Sequence, residues 1–159
     1  QTIDQVNSQA GPNTRFLFKR GDSWTGQFTG GDGPIMIGAY PSTGPKPIIN
    51  GPNPIILSTG DDDIRMVDLE ITGKVSITNW AGLYAPPTDP LTENILLQRI
   101  YIHDVNDVGL ALDGGGLNSI FFVDSVVRET AINVNMALTG LLQTLHILPN
   151  RLFQKTLHF

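Results

Sequence analysis

A chain of 159 residues has room for one domain with an adequate core, and 40% apolar content is ordinary for a folded protein. The net charge of −5 argues against general nucleic-acid binding, which needs a basic footprint, and no run approaches the ~18 uninterrupted apolar residues of a membrane span. The absence of cysteine excludes a disulfide framework and a thiolate metal site.

No charged-then-apolar signal peptide opens the chain, and a start at Gln1 rather than Met fits either a mature secreted protein, the reading preferred here, or an artificially trimmed chain. Seventeen glycines and 11 prolines predict many turns and short elements, with no long helix. Thr14 to Gly21 alternates Phe16 and Phe18 with polar neighbours before a Gly-Asp turn, the pattern of a half-buried strand. Short strands follow at Ile35–Ile37, Pro47–Ile49 and Ile55–Leu57, each bounded by Gly, Pro, Asn or Asp.

From Ile64 onward the pattern repeats. Asp63–Ile71 recurs as Asn94–Ile102 and again as Ser119–Val127, with apolar positions coinciding at Ile64/Ile95/Ile120, Met66/Leu97/Phe122 and Ile71/Ile102/Val127. A second strand recurs in step: Gly82–Ala85, Gly109–Leu112 and Ala131–Val134. Such short units cannot bury their own apolar faces, but stacked copies enclose a continuous core. The expected fold is all-β, a parallel β-solenoid of about three to five rungs over residues 1–135. Hairpin pairing in a sandwich gives no reason for this period.

Ala81 to Glu93, with Pro86-Pro87 and Asp89-Pro90, reads as a longer loop between rungs. Residues 136–159 read as a separate tail. All 15 acidic residues lie at or before Glu129, and Leu138, Leu141, Leu142, Leu145 and Leu148 follow helical spacing. Two readings stand for this tail: a cap over the last rung, or a non-native extension of the kind a frameshift leaves. An uncovered last rung would favour self-association.

The aligned rungs resemble the pectate-lyase-like superfamily, which implies that the solenoid is a right-handed parallel β-helix. The resemblance rests on Val6-Asn7, Gly11-Pro12, Phe16–Gly26, Pro34–Tyr40, and the rung Asn94-Ile95…Ile100–Asp104…Gly109–Leu112. It implies a carbohydrate-active protein and an acidic polysaccharide as partner, with no role for nucleic acid or membrane. Members include lyases, hydrolases, epimerases and binding modules, so the fold does not choose the reaction. The chain lacks the Asp-Pro-His of the epimerases and the Asn-Thr-Asp and Gly-His-Gly of the polygalacturonases, and it has fewer rungs than such enzymes.

Outward residues of stacked strands form columns. One reads Thr72, His103, Arg128; its neighbour reads Glu70, Tyr101, Val126; beyond them lie Gly73, Asp104, Glu129 and then Lys74, Val105, Thr130. Lyase chemistry on a uronate needs a base for the proton alpha to the carboxylate and a cation for the developing charge. By analogy with the superfamily, Lys74 or His103 would be the base, Arg128 the charge stabiliser, and Asp104 with Glu129 the holders of calcium. Glu70, Tyr101, Tyr84 and Trp80 are the candidate substrate contacts, and Trp24 and Tyr40 are further aromatics able to stack on sugars or pack under loops. Alternatively these columns are a solvated face, with Arg128 paired to Glu129 or Glu70.

Asp61-Asp62-Asp63 is expected to be a solvated turn, lacking the glycine-punctuated alternation of a calcium loop, and Asp113–Gly116 a tight corner. The functional expectation is a shortened relative or fragment of a polysaccharide lyase; the alternatives are a non-catalytic glycan-binding or structural module, or a remnant without activity.

Overall fold

The computed structural model describes residues 2–57, 61–73, 81–85, 92–113, 117–128, 131–135 and 145–147. Among these residues, fifteen strands and one short helix are arranged around a coil. Helix α1 spans Ile3–Gln9. Each turn of the coil then lays down up to three strands: β1 (Thr14–Lys19) and β2 (Ser23–Thr25); β3 (Ile35–Tyr40), β4 (Ile48–Asn50) and β5 (Ile55–Ile56); β6 (Ile64–Val67), β7 (Glu70–Thr72) and β8 (Ala81–Ala85); β9 (Thr92–Gln98), β10 (Tyr101–His103) and β11 (Val108–Asp113); β12 (Leu117–Val123), β13 (Val126–Val127) and β14 (Ala131–Asn135). Strand β15 (Leu145–Ile147) follows.

Three parallel sheets result, ordered β1-β3-β6-β9-β12-β15, β13-β10-β7-β4-β2 and β14-β11-β8-β5. The chain is therefore a parallel β-solenoid of four turns that carry all three faces, preceded by a first turn whose third face is the single bridge Phe28 to Ile55.

The repeats read from the sequence are the registers of the structure. Met66 pairs with Leu97 and Leu97 with Phe122, while Ile71 pairs with Ile102 and Ile102 with Val127. In the third sheet Leu83, Leu110 and Ile132 align. Side chains alternate across a strand, so the in-register positions Met66, Leu97, Phe122, Ile71, Ile102, Val127, Leu83 and Leu110 all point into the coil. Ile49, Ile64, Met66, Leu69, Ile71, Leu83, Ile95, Leu97 and Ile102 are fully buried there, each contributing roughly 1.5–3 kcal/mol of transfer free energy.

The corner between the first two sheets repeats one backbone shape. Asp68, Arg99 and Asp124 occupy it in successive turns with φ of 62°, 52° and 48°. Short polar side chains tolerate this left-handed region, whereas Arg99 is an unusual occupant and is held by an ion pair described below. At another corner, Gly51 has φ of 152° and an added Cβ would lie 2.7 Å from the Gly26 carbonyl oxygen, so the second turn closes on the first only without a side chain there.

Helix α1 covers the first end of the core. Thr2 accepts from the Gln5 amide while the Gln5 side chain accepts from the Thr2 amide, a capping box, and Ile3 and Val6 are buried beneath the helix. The sequence reading assigned no helix here, although Thr-x-x-Gln ahead of Val6 is its signature.

Three expectations need amendment. The loop expected over Ala81–Glu93 gives way at both ends: Ala81–Ala85 is β8, paired with β5 and β11 as the expected strand Gly82–Ala85 requires, and Thr92 and Glu93 open β9, while residues 86–91 lie outside the described residues. Asp61 is buried, not solvated. It accepts from the Gly31 amide at 2.8 Å, and Asp62 accepts from the Gly33 amide at 3.0 Å, so these carboxylates tie the third turn to the loop after β2. Within the stretch of helical leucine spacing, Leu145–Ile147 is a strand that extends the first sheet by pairing with β12 from Ile120 to Phe122. The remainder of 136–159 and the glycines of the 113–116 corner lie outside the described residues. No helix among the described residues is long and apolar enough to cross a membrane.

Candidate functional site

The second sheet sends Trp24, Ile49, Ile71, Ile102 and Val127 inward and leaves two columns facing outward. One runs Ser23, Ile48, Glu70, Tyr101, Val126; the other runs Thr25, Asn50, Thr72, His103. Arg128 follows Val127 at the next register position, beside His103, with its backbone amide donating to the Ile102 carbonyl at 2.9 Å. Successive residues of a column stand about 4.8 Å apart, so the face is a ladder of polar groups along the coil.

At its centre His103 is held on three sides. Nδ1 lies 2.9 Å from Oδ2 of Asp104, Nε2 lies 3.0 Å from Oε1 of Glu70, and the ring stacks on Tyr101 with centroids 4.2 Å apart and planes 22° from parallel. Asp104 can curl back because it leaves β10 in the left-handed region at φ of 50°. A carboxylate oxygen only accepts, so each contact is a hydrogen bond when the facing ring nitrogen carries hydrogen. The imidazole is thereby fixed in orientation, with 15% of its side chain exposed. Toward the start of the coil the ladder continues in neutral hydrogen bonds: Thr25 Oγ1 donates to Asn50 Oδ1 at 2.9 Å, and Asn50 Nδ2 donates to Ser23 Oγ at 2.7 Å.

A charged corner borders this face. Arg99 Nε and Nη2 donate to Asp68 Oδ1 and Oδ2 at 2.7 and 3.0 Å, a bidentate pair one turn apart. Arg20 reaches Asp68 Oδ2 at 3.2 Å and also donates to the Pro41 and Gly44 carbonyls, so it anchors the segment that leads into β4. The hydrogen bonds from Arg99 hold the Asp68 carboxyl below its ordinary range, and the same pairing raises Arg99. On that segment Lys46 is half-buried. Burial lowers its ammonium below 10.5 despite the opposing attraction of Asp68 and Glu70. The Glu70 amide donates to the Pro47 carbonyl at 3.0 Å, which places Lys46 against the turn that carries Glu70.

Of the residues singled out from sequence, the structure brings together Glu70, Tyr101, His103 and Asp104, with the exposed Arg128 alongside. Tyr84 is elsewhere. It stands on the third sheet, in register with Ile56 and Ala111 and packed on the small cluster of Ala81, Val108 and Ala111. Lys74, Trp80 and Glu129 lie outside the described residues. Trp24 packs edge-on against Phe18 with centroids 5.1 Å apart, and Tyr40 is 46% exposed on the first sheet. No group of three or more His, Asp or Glu among the described residues is placed to hold a metal ion.

Sequence reasoning missed Lys46 and the Arg20–Asp68–Arg99 corner. The signal for the latter was present: the same 31-residue offset that aligns Met66 with Leu97 aligns Asp68 with Arg99. Lys46 carried none, because its place depends on how the proline-flanked segment folds back.

The fold defines the class of protein, a parallel β-solenoid with one outward face carrying charge, hydrogen-bonding groups and an aromatic ring. No family model, curated protein or solved structure matches the chain.

Proposed function

We propose that the outward face of the second sheet binds a polysaccharide. The single observation behind this reading is the Tyr101–His103 stack clamped by Glu70 and Asp104 inside a polar ladder. Sugars present apolar ring faces rimmed by hydroxyls. A rigid aromatic platform flanked by carboxylates and amides meets both surfaces, and a repeating ladder suits a repeating ligand. Among the described residues, Arg128 beside His103 and Lys46 on the segment before β4 are cations from which an acidic glycan would draw charge complementarity. An extracellular setting belongs to the same proposal.

A second reading, β-elimination at the same face, has one specific observation in its favour. Lys46 is half-buried with a lowered ammonium pKa, the property a lysine base needs. His103 is less suited to that role because both its ring nitrogens are engaged by carboxylates. Incubation with alginate, pectate and glycosaminoglycans, with and without calcium, separates the two. Retention on these glycans without ultraviolet-absorbing unsaturated product supports binding alone, unsaturated product lost in Lys46→Ala supports elimination, and neither retention nor product contradicts both.

A further inference from the structure

The outward face of the first sheet differs in kind from that of the second. One of its columns reads Arg15, Met36, Arg65, Leu96, Phe121, and the next carries Leu17, Val67 and Val123. A sheet with one face in solvent ordinarily turns polar side chains outward. Here Leu17, Tyr40 and Phe121 are 38%, 46% and 39% exposed, and among the described residues they are all of the exposed large apolar side chains. Scattered singly they would need no explanation, but gathered on one face of one sheet they mark an interaction surface.

The same face is cationic. Arg15 and Arg65 are exposed in one column, two turns or about 9.6 Å apart, and neither forms an ion pair among the described residues. Lys19 adds a third cation, in an exposed pair with Asp22 at 3.6 Å. Neither of the two columns contains a carboxylate, in a chain whose net charge is −5. The occupant that fits is therefore anionic as well as apolar.

We propose that this face lies on an anionic lipid surface, with Leu17, Tyr40 and Phe121 entering the boundary between headgroups and acyl chains and Arg15 and Arg65 meeting the headgroup charges. Five strands at this spacing offer at most about 500 Å², short of the roughly 800 Å² that a stable protein interface takes from each partner. A second copy seated two-fold on the face would also set cations against cations. A bilayer needs no matching contour: it takes apolar tips at its interface and arginines at its headgroups. The overall charge opposes this little, because charges more than about 8 Å from the surface are largely screened at physiological salt. No helix among the described residues is long and apolar enough to cross a membrane, so the contact is with the surface. The face is on a different sheet from the polysaccharide site and does not depend on it.

Sedimentation with vesicles of equimolar phosphatidylcholine and phosphatidylserine, against vesicles of phosphatidylcholine alone, tests this. The expected result is partition into the mixed vesicles, weakened about fivefold by Arg15→Ala or Arg65→Ala, the equivalent of about 1 kcal/mol for each cation. Leu17→Ser combined with Tyr40→Ser should weaken it about tenfold or more. In Tyr40→Trp, the emission remaining after subtraction of the wild-type spectrum should move to the blue on the mixed vesicles. Both arginines are exposed, so their variants should keep the wild-type circular dichroism spectrum. No partition, equal partition into phosphatidylcholine alone, or partition unchanged in both arginine variants overturns the proposal. So does a dimer at sedimentation equilibrium that Leu17→Ser with Tyr40→Ser disrupts, which would assign the face to a second copy.

Discussion

His103 Nε2 and Glu70 Oε1 are 3.0 Å apart although 33 residues separate them in the chain, because the coil sets β10 directly on β7. Both side chains are mostly shielded, with 15% and 24% of their surfaces exposed. A double-mutant cycle of Glu70→Ala and His103→Ala should therefore show a coupling of about 0.5–1.5 kcal/mol in urea unfolding. Additivity within about 0.3 kcal/mol would mean that the contact contributes nothing in solution.

Asp68 contributes to the acid limb of stability. The folded chain holds this carboxyl below its ordinary value of 3.8, mainly through the Arg99 hydrogen bonds, so the folded state gives up the proton more readily than the unfolded one. The pairing's contribution is complete above that ordinary value and is lost as pH falls through the lower folded one. Asp68→Asn should flatten the drop in urea midpoint below about pH 4 and lower the midpoint at neutral pH, because the contribution lost in acid is the one the variant never has. An unchanged acid limb in the variant contradicts the assignment.

Lys46 acts in the opposite range. Burial lowers its folded pKa below 10.5, so between the folded and unfolded values the unfolded chain binds more protons, and stability rises with pH through that window. Lys46→Met should remove this rise without destabilising the protein at pH 7. The check is a set of urea midpoints from pH 7 to 10.5 for the two proteins.

Ser125 holds the same corner from inside. Its buried hydroxyl accepts from the Ile100 amide at 2.9 Å and has the Val123 and Leu97 carbonyls at 2.8 and 3.2 Å as acceptors for its one hydrogen. Ser125→Ala strands the Ile100 N–H and should cost about 1–3 kcal/mol by thermal or urea unfolding. Ser125→Gly, which also removes the hydroxyl, should recover none of that loss.

The coil was legible in the sequence for a specific reason. Ile64, Met66 and Ile71 must point into the same core as Ile95, Leu97 and Ile102, and side-chain alternation carries that demand into the apolar pattern unchanged. The outward column of Glu70 and Tyr101, with His103 beside it, followed from the same alignment. What the pattern could not carry were contacts made off the strands: the curl of Asp104 back onto His103, the burial of Asp61 against Gly31, and the return of Lys46 toward Glu70 all depend on turn geometry that hydropathy does not encode. Tyr84 shows the converse, since its aromatic character signalled a sugar contact while its register placed it on a different sheet.

The polysaccharide face is tested most directly by comparing Tyr101→Ala with Tyr40→Ala on immobilised alginate, pectate and glycosaminoglycans. Tyr101 carries the stack on the second sheet, and Tyr40 is an exposed tyrosine on the first. The account predicts that wild type and Tyr40→Ala are retained on the same glycan while Tyr101→Ala loses at least about tenfold in affinity, some 1.4 kcal/mol. Retention of Tyr101→Ala equal to wild type would contradict it.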